Sequence, residues 1–255
     1  QMDLRQKLQL EQEWHDSEDF ARDNSSLIVG VYASPVFQEA EAYHMAALGD
    51  VRGLHVLDYG CGSGGTTVQL LARGARVTGF DISATRLQEA RRRAANEPGG
   101  ASTGLLQCAA ERLPFRDGTF DAVLGKQILH HLDLKIAVPE IARVLRPGGR
   151  AVFLEPLIHN PILEGYRRLT PHLRSPTERA LSMRQIAWMG SCFRSYRHQE
   201  FILLSILPVL AVALARKRGA LDGWLRRLQA VDRTLLAAVP ALGRFYWETV
   251  IVLER

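Results

Sequence analysis

The chain has few cysteines, and their spacing suits neither a disulfide framework nor a structural metal site. Its three cysteines, Cys61, Cys108 and Cys192, are odd in number and show no Cys-x-x-Cys spacing. Folds that depend on disulfides carry a dense, paired set, and structural zinc sites use closely spaced cysteines. The sequence therefore predicts no disulfides and no metal.

The chain also lacks a hydrophobic run long enough to span a membrane. The apolar stretch 201–215 contains Pro208 and is followed by Arg216, Lys217 and Arg218. A spanning helix needs about 20 apolar residues, so a core or lid helix is predicted, with peripheral membrane contact as the alternative. The charged segment 1–7 has no signal-peptide core, and a cytoplasmic location is expected.

Signatures of nucleic-acid binding are missing, although part of the chain is basic. Residues 156–235 contain 13 Lys and Arg against 5 Asp and Glu. No aromatic residues alternate with these arginines, and no Asn-Pro-Pro-Tyr or Asp-Pro-Pro-Tyr sequence occurs. We expect a small-molecule partner and no nucleic acid, with a solvated basic face; attraction to anionic lipids or to an acidic small substrate remains an alternative.

A glycine-rich turn follows the apolar residues 56–57 and is the most informative feature present. Gly60 and Gly62 allow backbone angles that other residues resist, and they let a ligand lie against the main chain. Asp81 ends the apolar segment 75–80, where a carboxylate can accept both hydroxyls of a ribose. The pattern predicts a nucleotide-binding strand, turn and helix.

Two cofactor classes compete for this turn. Gly60, Gly62 and Gly65 also satisfy the G-x-G-x-x-G spacing of dinucleotide-binding folds, which alone is a weak signal. Asp58 would repel a pyrophosphate, but it suits a ligand with an ammonium group and a sulfonium charge. S-adenosylmethionine carries both, so it is the predicted cofactor, and NAD is the alternative.

Alternating strand and helix patterns predict an α/β fold. Apolar runs suggest strands near 54–58, 75–80, 103–108, 119–124 and 150–155, and residues 84–95 have the pattern of a helix. This succession predicts a Rossmann-like doubly wound sheet that is mostly parallel, with ligands at the carboxyl ends of its strands.

Further motifs make a family resemblance specific. The segments 110–115, 117–124 and 145–149 follow the glycine turn in order. From Leu54 to Glu155 the chain resembles a class I S-adenosylmethionine-dependent methyltransferase of the small-molecule group that includes ubiquinone and menaquinone methyltransferases. The resemblance implies a sixth strand at 193–201 and an antiparallel seventh at 245–253. The cofactor-binding residues it implies are Tyr32, Asp58, Gly60, Cys61, Gly62, Asp81, Ile82, Ala110, Glu111, Lys126 and Gln127.

One position departs from the resembled family. Relatives carry an aspartate that accepts the adenine amino group, and this chain has Ala109 there, with Cys108 and Glu111 as possible substitutes. For catalysis, His131 after the fourth strand is the first candidate base, although a structural role is an alternative. Glu155, at the end of the fifth strand, is the second candidate and is expected to point into the same cleft.

These features predict a methyltransferase acting at oxygen, carbon or nitrogen of a small, apolar or aromatic metabolite. The alternatives are a non-catalytic cofactor-binding protein of the same fold and a nucleic-acid methyltransferase. We expect a helical lid at 1–50 and a methyltransferase domain at 51–255, with helical insertions at about 156–190 and 202–244. The N-terminal helix is also a possible homo-oligomer contact.

Overall fold

The computed structural model describes residues 3–17, 35–169, 175, 177–208 and 222–255. Its strands are β1 (His55–Tyr59), β2 (Arg76–Asp81), β3 (Gly104–Gln107), β4 (Phe120–Lys126), β5 (Leu145–Pro156), β6 (Ser195–Phe201) and β7 (Glu248–Glu254). Its helices are α1 (Leu4–Asp16), α2 (Pro35–Ala47), α3 (Gly65–Ala72), α4 (Ala84–Ala94), α5 (Leu134–Val144), α6 (Pro161–Leu169), α7 (Met183–Ser191) and α8 (Asp222–Ala238). Short 3₁₀ helices occupy Gly100–Ser102, Leu129–His131 and Pro240–Phe245.

The strands form one sheet with the order β3-β2-β1-β4-β5-β7-β6. Neighbours from β3 to β5 are parallel, whereas β7 runs antiparallel to both β5 and β6. The chain moves outward from β1 to β3 and then returns to place β4 on the other side of β1. Such a reversal opens a crevice at the carboxyl ends of the strands. The predicted fold class is confirmed.

Some predicted boundaries are wrong by a few residues, each for a local reason. The sixth strand begins at Ser195, because the C-terminal cap of α7 at Cys192 precedes it. The seventh begins at Glu248, because residues up to Phe245 form a 3₁₀ helix. Strand β5 begins early, because Leu145 already pairs with Phe120 of β4.

The sheet separates two hydrophobic clusters. Successive side chains of a strand point to opposite faces, so Val56 belongs to one cluster and Leu57 to the other. Phe37 of α2 packs in the first cluster, and Ile141 of α5 packs in the second. Buried on both faces, β1 is rigidly held beneath the glycine turn that follows it.

The predicted core or lid helix at 201–215 is only partly within the described residues. Phe201, Ile202 and Ile206 are buried in the first cluster, whereas residues 209–215 lie outside the described ranges. No helix in the described part of the chain combines the length and the hydropathy that crossing a bilayer requires.

Candidate active site

A cavity of about 690 Å³ opens at the carboxyl ends of β1, β2 and β4. Helix α1 contributes to its wall through Leu8 and Glu11, and α2 contributes through Phe37. The sequence-predicted residues that line it are Gly60, Cys61, Gly62, Asp81, Ile82, Ala110, Glu111, Lys126, Gln127 and His131. Tyr32 lies outside the described residues.

The glycine turn needs its glycines for two separate reasons. Gly60 has a φ of +71°, which L side chains rarely adopt, and an added Cβ would lie 2.8 Å from the Ile128 side chain. Gly64 has a φ of +86°, and a Cβ there would lie 2.8 Å from the backbone of Ala90 in α4. The turn can therefore pack closely against both Ile128 and helix α4.

Asp81 ends β2 and is fixed by backbone donors on both sides. Its Oδ2 accepts from the N–H of Gly62 and its Oδ1 accepts from the N–H of Ser83, each at 2.9 Å. A carboxylate has about four acceptor positions, so each oxygen can still accept from a ligand hydroxyl. Asp81 is thus a preorganised acceptor at the cavity wall, where the sequence predicts a ribose.

The position of Asp58 differs from the prediction. The residue lies behind the turn and is not among the residues that line the cavity. It is 2 % exposed, and its Oδ2 accepts from Thr67 Oγ1 at 2.5 Å. Burial raises the pKa of Asp58 to about 7, and this effect outweighs the Thr67 hydrogen bond. The predicted direct contact with a cofactor does not fit this placement.

The wall near Ala109 offers a substitute for the missing aspartate. Glu111 Oε1 accepts from the N–H of Asp133 at 3.2 Å, whereas the buried Oε2 has no hydrogen-bond partner among the described residues. Burial raises the pKa of Glu111, and it raises that of the nearby Cys108 thiol to about 12. A buried oxygen without a partner suits an amino donor such as that of adenine.

The loop after β4 contacts a further carboxyl that lines the cavity, that of Glu248 at the start of β7. Gln127 has a φ of +55°, and its Nε2 donates to Oε1 of Glu248 at 2.8 Å. Burial raises the pKa of Glu248 to about 8. Lys126 pairs with Glu41 of α2 at the same wall. Lys126 and Gln127 thus line the cavity, but their polar groups already pair with protein carboxylates, and their predicted contact with a cofactor stays a prediction.

Glu155 also requires a correction, because it is fully buried and does not point into the cavity. It accepts from the backbone N–H groups of Ile128 and Leu129 at 2.9 and 2.8 Å. Nδ1 of His130 lies 2.7 Å from its other oxygen, and a carboxylate can only accept, so His130 donates. Burial lowers the pKa of His130, which keeps it neutral. Glu155 holds the loop and is not placed for catalysis.

His131 lies close to a carboxylate, that of Glu11, which the sequence did not predict to be part of the site. Its Nδ1 lies 3.2 Å from Oε2 of Glu11, and Nε2 of His15 lies 3.5 Å from the same oxygen. Glu11 is 5 % exposed, and its contacts with the two histidines hold its pKa well below the usual range despite burial. Helix α1 is anchored nearby, because Ser83 Oγ donates to Asp16 Oδ1 at 2.5 Å.

A weak signal for these missed residues exists in the sequence. Lys7, Glu11 and His15 are spaced four residues apart, so they lie on one face of α1, and all three line the cavity. This spacing defines a polar face but does not identify what it contacts. Glu248 gave no signal, because it lies at the start of a strand whose centre, residues 250–253, is apolar.

Residues 57–153 match the protein family described as "Methyltransferase domain". The match covers less than half of the chain, and within it the chain carries a methyltransferase domain. The match begins within β1 and ends within β5, and it contains the glycine turn, Asp81 and His131. The predicted family is confirmed.

Curated relatives of the domain include two O-methyltransferases. The O-methyltransferase cnsE of Penicillium expansum is 34% identical over 129 residues, which are 48% of this chain and 47% of that protein. The fatty-acid O-methyltransferase of Mycolicibacterium smegmatis is 34% identical over 154 residues, which are 58% of this chain and 55% of that protein. The chain thus spans about half the length of the curated relatives it matches.

A solved structure shares the fold of the methyltransferase domain and of the elements around it. Geranyl diphosphate C-methyltransferase from Streptomyces coelicolor A3(2), in complex with Mg²⁺, geranyl diphosphate and S-adenosyl-L-homocysteine, aligns with a TM-score of 0.62. The identity is 21%, and the alignment covers 86% of this chain and 77% of that one. The likeness therefore extends beyond residues 57–153 to most of the chain.

Proposed function

We propose that the methyltransferase domain transfers the methyl group of S-adenosylmethionine to a small, apolar or aromatic acceptor. One arrangement carries the proposal: the fixed carboxylate of Asp81 and the unpartnered Oε2 of Glu111 belong to residues that line the same cavity as the glycine turn. These groups can accept from ribose hydroxyls and from an adenine amino group. The residues present therefore fit the cofactor, even with Ala109 in place of an aspartate.

The other walls of the cavity support an apolar acceptor. Leu8, Phe37, Met45, Leu132 and Leu163 contribute side chains to them. A volume of about 690 Å³ lies within the usual range of ligand sites, which is roughly 300–1,000 Å³. Two relatives carry the names fatty-acid O-methyltransferase and demethylmenaquinone methyltransferase, and these names support an acceptor of this character.

The protein's part in the reaction is alignment and exclusion of water. When bound, S-adenosylmethionine supplies a methyl group on a positively charged sulfur. Asp81 and the glycine turn would fix the nucleoside, and α1 would cover the cavity, so that the acceptor is held in line with water excluded. His131 lies on the wall that α1 covers, and we assign it to the acceptor side.

Calorimetric titration of the protein with S-adenosylmethionine, S-adenosylhomocysteine and NADH tests the cofactor assignment. We expect the first two to bind and NADH not to bind. Formation of S-adenosylhomocysteine in a metabolite extract then tests turnover. Binding of NADH alone would assign the turn to a dinucleotide, and cofactor binding without turnover in any acceptor pool would favour a non-catalytic protein.

Several expectations from the sequence stay predictions within this proposal. They are the division into a lid at 1–50 and a domain at 51–255, the cytoplasmic location, the absence of a nucleic-acid partner, and a homo-oligomer through α1. The lid is supported by the position of α1, because Lys7, Leu8, Glu11 and His15 all face the cavity.

A further inference from the structure

Three side chains with metal-binding atoms converge on one wall of the cavity. Glu11 and His15 come from α1, and His131 comes from the loop after β4. One ligand atom from each lies within 4.8 Å of the others. The side chains are 6 %, 13 % and 11 % exposed in that order, so the cluster is shielded from bulk water.

The separations within the cluster match those of atoms bound to one metal ion. In a tetrahedral site with metal–ligand distances of about 2.0–2.1 Å, two ligand atoms lie roughly 3.3 Å apart. Oε2 of Glu11 lies 3.2 Å from Nδ1 of His131 and 3.5 Å from Nε2 of His15.

These contacts are close but are not well-directed hydrogen bonds. Oε2 of Glu11 and Nδ1 of His131 are both buried, and neither has a hydrogen-bond partner among the described residues. Atoms that face a common point between them, instead of each other, show this combination of short distance and poor angle. A bound ion at that point would satisfy both atoms.

The second oxygen of Glu11 is already held in place. Ser175 Oγ donates to Oε1 of Glu11 at 2.5 Å, and Thr177 Oγ1 donates to the same oxygen. The two hydroxyls fix the orientation of the carboxylate and leave Oε2 for the histidines. Hydrogen bonds of this kind around a ligand carboxylate are typical of metal sites.

We propose that Glu11, His15 and His131 bind one divalent transition-metal ion, with Zn²⁺ as the ion that best suits the donor set. Two imidazoles and one carboxylate form a set that catalytic zinc sites use, and it leaves a fourth position open. Since all three residues line the cavity, that position faces it. The sequence predicts no metal, because that prediction rests on the spacing of the cysteines, whereas this site forms only where α1 lies against the loop after β4.

The role of the metal toward the acceptor rests on the proposed function. An open position facing the cavity would bind an oxygen atom of the acceptor and lower the pKa of a hydroxyl there. The metal site would then favour acceptors with a hydroxyl or another oxygen donor. Binding of the ion itself does not depend on this role.

A second group, His130, His131 and Glu178, overlaps this site through His131. His130 already donates Nδ1 to Glu155, and its ring lies 4.2 Å from that of His131. We assign the ion to the Glu11 group, because Oε2 of Glu11 is buried without a hydrogen-bond partner among the described residues, whereas Nδ1 of His130 already pairs with Glu155.

Calorimetric titration of the tag-free, chelator-treated protein with ZnCl₂ tests the site, and Co²⁺ absorption reports its coordination. We expect one ion per chain, a tetrahedral Co²⁺ spectrum, and at least tenfold weaker binding in His15→Ala and Glu11→Gln. His198→Ala is the matched control, since His198 lies 2.6 Å from Glu200 on β6 and is not among the residues that line the cavity. It should bind Zn²⁺ as the unchanged protein does.

Absence of stoichiometric Zn²⁺ binding, or equal loss in His198→Ala, would overturn the proposal and leave Glu11 as a hydrogen-bond partner of the histidines. Thermal unfolding of His15→Ala shows whether a loss of binding reflects a loss of folding. If that variant is unfolded, His15→Gln, which keeps polarity and approximate size, takes its place. Titration with S-adenosylhomocysteine reports on the cofactor site separately, so failure of the metal site and failure of the proposed function are distinguishable.

Discussion

The Thr67 hydroxyl donates a hydrogen bond to the carboxyl of Asp58 at 2.5 Å. This pair lies beneath the glycine turn, and neither residue is among those that line the cavity. Burial raises the pKa of Asp58 to about 7. Asp58 therefore affects the stability of the fold beneath the turn, and its contribution to the free energy of unfolding depends on pH.

Replacing Asp58 with Asn should remove that pH dependence. In the unfolded chain the pKa of Asp is about 3.9, so between about pH 4 and pH 7 only the folded state keeps the proton. The free energy of unfolding should therefore fall, relative to Asp58→Asn, by roughly 1.4 kcal/mol per pH unit as the pH rises through this window. Above about pH 7 the difference should become constant. Urea unfolding from pH 4 to pH 8 measures it.

The matched control for this prediction is Thr67→Val, which keeps the shape and removes the donor. This variant should lower the free energy of unfolding by about 1–3 kcal/mol at neutral pH, and the dependence of that free energy on pH should remain. If the free energy of unfolding of the unchanged protein rose with pH relative to that of Asp58→Asn, Asp58 would not be a buried acid with a raised pKa.

Asp81→Asn should weaken cofactor binding without unfolding the protein. Its two oxygens accept from the N–H groups of Gly62 and Ser83, and an amide nitrogen would face one of these donors instead of accepting. It would also lose an acceptor for a ribose hydroxyl. We expect the Kd for S-adenosylhomocysteine to rise at least about tenfold, or roughly 1.4 kcal/mol, measured by calorimetry. Asp117→Asn, at an exposed position, should leave the Kd unchanged.

Glu155→Gln distinguishes a structural role from the predicted catalytic one. The carboxylate accepts from Ile128 and Leu129 N–H and from His130 Nδ1, and an amide can accept through only one of its two groups. The free energy of unfolding should fall by about 1–3 kcal/mol in urea titrations. Glu89→Gln on α4, where the pair with Arg93 is exposed, should cost less than about 0.5 kcal/mol. Lost turnover with unchanged stability would restore the catalytic assignment.

The predicted residues that line the cavity owe this position to local backbone geometry, and their contacts with a cofactor stay predictions. Gly60 and Gly62 lie in one contiguous turn, and Asp81 ends a strand, so spacing along the chain is enough to place them at the cavity. The sheet could be predicted for the same reason, because the alternation of strands and helices is a local pattern in the sequence.

The parts that it placed wrongly depend on tertiary packing. Asp58 and Glu155 are each the second-last residue of a buried strand, and only the surrounding helices and loops decide that they are covered and not exposed to the cavity. Glu11 was missed because it acquires its partners only when α1 docks against His131. No periodicity in the sequence of α1 identifies that contact.

Gly60→Ala and Gly53→Ala together should separate backbone strain from steric contact in the glycine turn. Both glycines have a similar φ, +71° and +73°, so an alanine should cost about 1–2 kcal/mol at either position. At Gly53 the new Cβ meets nothing within 4 Å, whereas at Gly60 it would lie 2.8 Å from Ile128. Gly60→Ala should therefore cost a further 1–3 kcal/mol or so in urea unfolding.

The double variant Gly60→Ala/Ile128→Ala tests the origin of this excess cost. If the contact with Ile128 causes it, adding Gly60→Ala to Ile128→Ala should cost about as much as Gly53→Ala alone, within roughly 0.5 kcal/mol. Equal costs for Gly60→Ala and Gly53→Ala in the unchanged background would mean that Ile128 moves aside freely. The loop after β4 would then be looser than its anchoring by Glu155 implies, because that carboxylate accepts from the Ile128 N–H at 2.9 Å.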